Sequence, residues 1–240
     1  MSDRFLECTH PGGDTYAVQL PSSFSNSAGR AWPVIVLLHG SGRNHRTLWD
    51  DPRTRNALEA CRSVLVFPNG KQSWWLGSYE QYPLDLLDWL TPRLNISRDA
   101  RHRAAAGWSM GGFGSLRLVE LHRDRFAAWG GLLTLADFPN PDLPPEQNHN
   151  VPAVFGDKAN WPALNPLRRA DALRGKRLFV LTATEAFDRT MNRRLHESLT
   201  RLGIEHEYHE VDGGHRFDVV AAHLAAMLTF LDRSIHEEKP

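Results

Sequence analysis

A serine placed between two glycines is the first sign of chemistry in this sequence. Residues Gly107–Gly111 read GWSMG, which fits the G-x-S-x-G pattern of a nucleophile elbow. In such an elbow a strained turn between a strand and a helix exposes the serine hydroxyl. Side chains at the two glycine positions would collide with neighbouring backbone, so the pattern needs glycine there. Ser109 is therefore the predicted nucleophile.

One histidine of the twelve is best placed to activate that serine. His215 follows two glycines and lies between the last predicted strand and the last predicted helix. A neutral imidazole near pH 7 takes a proton from a serine hydroxyl and returns it to a leaving group. Ser109 and His215 also follow the chain order nucleophile, acid, histidine, with room for the acid between them. His215 is therefore the predicted base.

The elements that must position these residues are visible as an alternation of apolar runs and helical patterns. This alternation predicts an α/β fold with a mainly parallel central sheet flanked by helices. Val34–Leu38 is a continuous apolar run, typical of a strand buried on both faces, whereas the more polar Glu205–Val211 favours the sheet edge. The other predicted strands are Tyr16–Leu20, Val64–Phe67, Arg103–Trp108, Gly130–Leu135 and Leu178–Thr182, and the predicted helices are Leu84–Leu94, Phe113–His122, Asn192–Leu202 and Val219–Ile235.

Composition narrows the class of protein. The chain has 240 residues, 41% of them hydrophobic, and a formal net charge of zero, so a single domain over residues 1–240 is expected, with no nucleic acid or membrane partner. The N-terminus lacks the pattern of a secretory signal. Cys8 and Cys61 form neither a disulfide framework nor a metal-type pair. We therefore expect a cytoplasmic protein that needs no metal and no cofactor.

A proline-rich stretch interrupts the alternation. Residues Phe138–Pro166 contain seven prolines, which excludes a long helix or a central strand. A loop of this length inside a compact domain is usually functional or disordered. Residues 138–166 are therefore predicted to form a lid-like segment within the single domain.

The motifs together resemble the esterase D / antigen 85 group of α/β-hydrolases. The resemblance rests on His39-Gly40 after an apolar strand, on residues 107–112 (GWSMGG), and on residues 213–215 (GGH), and it extends from about Val34 to Phe230. This group also includes S-formylglutathione hydrolases, tributyrin esterases and feruloyl or acetyl-xylan esterases. The resemblance implies an α/β-hydrolase fold with a Pro-rich loop insertion and a serine esterase acting on a small-molecule ester.

The resemblance also implies an oxyanion hole and a pocket. In this fold two backbone N–H groups hold the oxyanion, one after the nucleophile and one from the loop after the apolar strand. These donors would be Met110 and Ser41, while His39 is expected to be structural. The loop 69–75 is similar to an aromatic stretch beside the substrate site, so Trp74 and Trp75 are predicted to bind substrate, although packing onto the core is an equal alternative.

The triad acid is the point at which this chain departs from the group. Members of the group usually carry an aspartate in stretches such as Gly-Thr-Glu-Asp-Phe after the strand that is here Leu178–Thr182. Aligned without gaps, that aspartate falls on Ala186. Three carboxylates remain as candidates, in the order Asp188, Glu185 and Asp137. Asp188 requires the loop to shift by two residues.

Three functions follow from these residues. Hydrolysis of a carboxylic ester through an acyl-serine intermediate is the first. Acyl transfer to an alcohol or amine on the same site is the second. A degenerate hydrolase that acts as a binding protein is the third, and only the alanine at position 186 supports it. The sequence does not specify the acyl part, the alcohol part or the oligomeric state.

Overall fold

A continuous sheet lies at the centre of the molecule. The computed structural model describes residues 4–26, 29, 31–143, 147 and 151–236. Within that part of the chain the sheet has eight strands. They are β1 Phe5–Thr9, β2 Thr15–Gln19, β3 Val34–Leu38, β4 Val64–Pro68, β5 Arg103–Trp108, β6 Ala128–Leu132, β7 Arg177–Ala183 and β8 Glu207–Val211.

The order of the strands across the sheet is β1-β2-β4-β3-β5-β6-β7-β8. The pairs β1/β2 and β2/β4 are antiparallel, and every neighbouring pair from β4 to β8 is parallel. The polar strand β8 lies at one edge, as predicted. The carboxyl ends of the parallel strands β5, β7 and β8 therefore meet at the same edge of the sheet, where α/β sheets place their ligands.

Helices cover both faces of the sheet, which confirms the predicted α/β architecture. Val34, Val36 and Leu38 of β3 belong to one apolar cluster, and Ile35 and Leu37 belong to the other. Because β3 is buried on both faces, it shows no alternation of polar and apolar residues. The helices are α1 Thr47–Asp50, α2 Pro52–Ala60, α3 Ser78–Leu90, α4 Met110–Leu121, α5 Trp161–Leu164, α6 Arg189–Arg201 and α7 Phe217–His236.

Some predicted boundaries are wrong. The strand predicted at Gly130–Leu135 is β6, which ends at Leu132 because Leu133 adopts a positive φ of 51°. Helix α3 begins six residues before the predicted Leu84 and accommodates Pro83 in its interior. Strand β1 and helix α2 were not predicted, because β1 is largely exposed and α2 contains few apolar residues.

The proline-rich segment is only partly described. Positions 144–146 and 148–150 of the predicted lid-like stretch 138–166 lie outside the described residues. In the remainder, Phe138, Phe155 and Trp161 are buried in one cluster with Phe113 of α4. The described part is therefore packed against the helix that follows the elbow, and its function as a lid stays a prediction.

Among the described residues no helix combines the length and the apolar character that crossing a bilayer requires.

The tightest backbone contact of the site is between α4 and β3. A Cβ atom on Gly111 would lie 2.0 Å from the carbonyl oxygen of Leu38, and one on Gly107 would lie 2.3 Å from the carbonyl oxygen of Gly111. Both distances are far below any van der Waals contact, and the obstructing atoms are backbone. Glycine at these positions is therefore what allows α4 to begin directly above the sheet.

A buried histidine connects the loops that follow β3 and β4. His39 is 1% exposed, its Nε2 accepts a hydrogen bond from the N–H of Gly70 at 3.0 Å, and its Nδ1 lies 2.9 Å from the carbonyl oxygen of Gly40. Because a carbonyl only accepts, Nδ1 carries the proton and the ring is neutral. Burial lowers the pKa of His39 to about 4. His39 is thus structural, as expected.

The close approach of α4 to β3 makes a prediction about stability. Gly111→Ala should lower the free energy of unfolding by about 2–3 kcal/mol, because the methyl group can be accommodated only by moving backbone. Gly214→Ala is the control, since its Cβ would have no neighbour nearer than 3.9 Å. Urea unfolding measures both variants. Equal stabilities would contradict the close-packing argument.

Because His39 is neutral in the folded protein, the free energy of unfolding should depend on pH. Between pH 6.5 and about 4 the unfolded chain binds a proton at this residue that the folded chain does not bind. The free energy of unfolding should therefore fall as the pH falls through this window, by about 3 kcal/mol in total from this residue. Urea unfolding from pH 4.5 to 8 should show a steeper dependence for the wild type than for His39→Gln. Parallel curves would exclude this residue as the cause.

Candidate active site

Ser109 lies at the turn between β5 and α4. Its backbone has φ 54° and ψ −122°, which is a strained conformation for a residue with a side chain. The N–H of Ser109 donates to the carbonyl oxygen of Leu132 at 3.1 Å, and the N–H of Phe113 donates to the carbonyl oxygen of Ser109 at 3.0 Å. These bonds and the glycine contacts below the turn hold the half-buried hydroxyl at the carboxyl edge of the sheet.

His215 lies in the loop between β8 and α7 and meets Ser109 there. Its Nε2 is 2.8 Å from the Oγ of Ser109. The ring of Phe187 packs over the imidazole with its centroid 4.4 Å away. The two residues are 106 positions apart in the chain, and the loops that follow β5 and β8 at the same edge of the sheet bring them within one hydrogen bond.

Asp188 is the carboxylate that reaches His215. Its Oδ1 is 2.5 Å from Nδ1 of His215, and its side chain is fully buried. The other oxygen, Oδ2, accepts hydrogen bonds from the Oγ1 of Thr182 at 3.0 Å and from the Nδ2 of Asn192 at 2.8 Å. Because an ionised carboxylate only accepts, Nδ1 carries the proton and Nε2 is free to accept from Ser109.

The other two candidate acids are placed elsewhere. Glu185 is exposed to solvent. Asp137 is buried, and its Oδ2 accepts a hydrogen bond from the Nη1 of Arg194 at 2.7 Å, so its charge is compensated away from His215. Among the described residues, the structure gives His215 one carboxylate partner, Asp188.

The displacement of the acid along the chain has a local cause. Strand β7 ends at Ala183, and a turn follows in which Ala186 packs into the apolar cluster beneath α7. Asp188 comes two residues later, at the N-cap of α6, but its side chain makes no capping bond because it points to His215. The sequence signal that could have identified Asp188 is its position directly before a helix. The partners Thr182 and Asn192 were not predicted, and no motif marks them.

The predicted oxyanion donors lie on either side of the serine. Met110 is the first residue of α4, where a backbone N–H has no acceptor within the helix. Ser41 follows His39-Gly40 in the loop after β3, and its hydroxyl donates to the Oε1 of Gln72 at 2.8 Å. Ser41, Ser109 and His215 line one cavity of about 140 Å³. The role of the two N–H groups stays a prediction.

Of the two tryptophans predicted to bind substrate, Trp75 requires a correction, whereas substrate binding by Trp74 stays a prediction. Trp75 is 2% exposed, packs against Gly114 of α4, and donates from Nε1 to the carbonyl oxygen of His39 at 3.3 Å. Trp74 is half-buried, with its ring centroid 5.2 Å from that of Phe155. Neither residue lines the cavity beside Ser109. Trp75 therefore packs onto the core, which is the alternative predicted for this loop.

Some walls of the cavity beside Ser109 come from residues that the sequence analysis did not identify as part of the site, namely Arg43, Leu133, Arg216, Phe217 and Val220. Besides the serine and the histidine, its walls are Gly40, Ser41, Arg43, Trp108, Leu133, Arg216, Phe217 and Val220. Within the described ranges, no group of three or more His, Cys, Asp or Glu side chains has an arrangement that could hold a metal ion. The chemistry that this geometry offers is proton transfer from a serine to an imidazole oriented by a buried carboxylate.

Comparison with known sequences places the chain in a family. The sequence profile of the Esterase family matches residues 12–231. Esterase Rv1288 of Mycobacterium tuberculosis (strain H37Rv) is 29% identical in an alignment that covers 83% of this chain and 52% of that protein. The chain therefore spans about half the length of the curated relatives that it matches.

Comparison with solved structures identifies the fold. A ferulic acid esterase is similar with a TM-score of 0.78 at 22% identity, over 96% of this chain and 97% of the other. FphF, a fluorophosphonate-binding serine hydrolase of Staphylococcus aureus, is similar with a TM-score of 0.76 at 19% identity, over 95% and 97% of the two chains. The profile match and the shared fold confirm the resemblance drawn from the motifs: this chain belongs to the Esterase family and has the α/β-hydrolase fold.

Proposed function

We propose that this chain is a serine esterase, which cleaves a carboxylic ester through an acyl-serine intermediate. The observation that carries this proposal is the continuous series of hydrogen bonds from Ser109 through His215 to Asp188, 2.8 Å and 2.5 Å long. Membership of the Esterase family supports the reaction type. The substrate is accordingly a small-molecule ester.

In the first half of the reaction, the Oγ of Ser109 attacks the carbonyl carbon of the ester while its proton passes to Nε2 of His215. The charge that develops on the carbonyl oxygen is held by the backbone N–H groups of Met110 and Ser41. When the tetrahedral intermediate collapses, the bond to the alcohol oxygen breaks. His215 gives its proton to that oxygen, and the acyl group remains on Ser109.

In the second half, a water molecule replaces the alcohol. His215 takes a proton from the water, whose oxygen attacks the acyl carbon, and then returns the proton to the Oγ of Ser109 as the acid leaves. Throughout the cycle Asp188 stays ionised and stabilises the imidazolium. The bonds from Thr182 and Asn192 to its second oxygen hold the carboxylate in the position from which it orients His215.

The orientation of His215 favours an enzyme over a degenerate hydrolase that only binds. The alanine at position 186 was the reason to consider lost activity, and it implies a missing acid. Asp188 supplies a carboxylate to Nδ1 from two residues further along the chain. The position of Asp188 therefore supports an active hydrolase over a degenerate one that only binds.

The nucleophile is tested by covalent labelling. A fluorophosphonate probe should modify the wild type at Ser109, because the activated hydroxyl attacks phosphorus as it would attack an ester carbonyl. Ser109→Ala should abolish labelling and ester hydrolysis. Ser78→Ala is the matched control, since Ser78 is exposed on α3 and remote in sequence from the elbow. Labelling is read by intact-protein mass spectrometry, and an unlabelled wild type would refute the proposed function.

The acid is tested by a pair of amide substitutions. Asp188→Asn should reduce kcat for 4-nitrophenyl acetate by about 10³–10⁴, because the histidine loses the partner that sets its tautomer. Glu185→Gln makes the same chemical change three residues earlier on an exposed side chain and should retain wild-type kcat. Circular dichroism establishes that both variants are folded. A large loss in Glu185→Gln with little in Asp188→Asn would reverse the assignment.

A further inference from the structure

Two guanidinium groups lie over the ring of Phe217, which lines the cavity beside Ser109. The Cζ of Arg43 lies 5.0 Å from the ring centroid of Phe217, and the Cζ of Arg53 lies 5.8 Å from it. Arg216 is adjacent in sequence. Arg43 and Arg216 line the cavity together with Ser109 and His215, whereas Arg53 does not.

The three arginines differ in how their charge is compensated. Arg53 binds Asp51 through two nitrogens, at 3.0 and 2.7 Å, and Arg216 lies 3.2 Å from Asp218. Arg43 forms no ion pair with any residue that the structure describes; it only contributes at longer range to the lowered pKa of Asp51. Its guanidinium is therefore available to an anion in the cavity.

The other residues that line the cavity also leave the charge of Arg43 uncompensated. None of the described residues that line it is a carboxylate, so nothing in the wall competes for Arg43. The N–H of Arg43 donates to the carbonyl oxygen of Gly40 at 3.2 Å, which holds the backbone of this residue to the predicted oxyanion loop. The guanidinium of Arg43 lies over the ring of Phe217, and both residues line the cavity together with His215.

Accepting the serine esterase proposed above, we propose that Arg43 is a specificity-determining residue that binds a carboxylate group carried by the substrate. The preferred substrates are then esters with a second, anionic end. A guanidinium presents a planar pair of N–H donors that matches the two oxygens of a carboxylate. Attachment of Arg43 to the same loop as Ser41 places this contact next to the reacting carbonyl.

Two pairs of substrates separate the two parts of the ester that could carry the charge. 4-Nitrophenyl hydrogen adipate and 4-nitrophenyl methyl adipate differ only by a carboxylate on the acyl side. 4-Acetoxybenzoate and its methyl ester differ by a carboxylate on the alcohol side. In one pair the wild type should give a kcat/KM about three- to fivefold higher for the anionic member at low ionic strength, the size expected for an exposed charge contact. This ratio should fall towards one in 1 M salt.

The variants make the test specific. Arg43→Gln should reduce the anionic-to-neutral ratio to about one. Arg53→Gln removes a guanidinium stacked on the same ring but outside the cavity, and it should retain the wild-type ratio. A wild type that hydrolyses the neutral esters without preferring either anionic member overturns this proposal alone, as does a ratio that Arg43→Gln leaves unchanged. A wild type that hydrolyses none of the four esters and is not labelled by the fluorophosphonate overturns the proposed function as well.

Discussion

The contact on which the site depends is the approach of the α4 backbone to the carbonyl oxygen of Leu38. No atom larger than hydrogen fits on the Gly111 side of this contact. The approach lets a helix begin immediately after β5, and it forces Ser109 into a positive φ with its hydroxyl at the edge of the sheet. The buried strands on either side stabilise this strained backbone, because β5 is paired along its length with β3 and β6.

The proposed proton transfer depends on a second constraint, the complete burial of Asp188. A buried carboxylate is costly unless every oxygen has a partner. Here Oδ1 meets His215, and Oδ2 meets Thr182 and Asn192 from the adjacent strand and helix. These bonds hold the acid in one position, so that the imidazole it orients also has one position relative to Ser109. The same three bonds explain why an aspartate at the start of a helix leaves its capping role unfilled.

The loops after β3 and β4 pack together beside this centre. His39 connects them through the neutral form of its ring, and Trp75 fills the space above Gly114. What remains open is a small cavity whose charged walls come from Arg43 and Arg216. The residues proposed to carry the chemistry thus follow the carboxyl ends of β5, β7 and β8, whereas Arg43 lies in the loop after β3. The curated relatives extend to about twice the length of this chain, which matches about half of each.

The amino-acid sequence alone determined the α/β architecture, the polar edge strand, the elbow at Ser109 and the position of His215. Each of these is encoded in neighbouring residues: apolar runs, a glycine pattern, and a histidine after two glycines. Only the tertiary structure decided which carboxylate reaches His215, where Trp75 lies and which residues line the cavity. These positions depend on how a turn of a few residues directs its side chains. Ala186 and Asp188 belong to the same turn, but the side chain of Ala186 packs into the core and that of Asp188 reaches His215. Local sequence predicts elements well because their periodicity is local, whereas the direction of a loop side chain is set by the elements that pack around it.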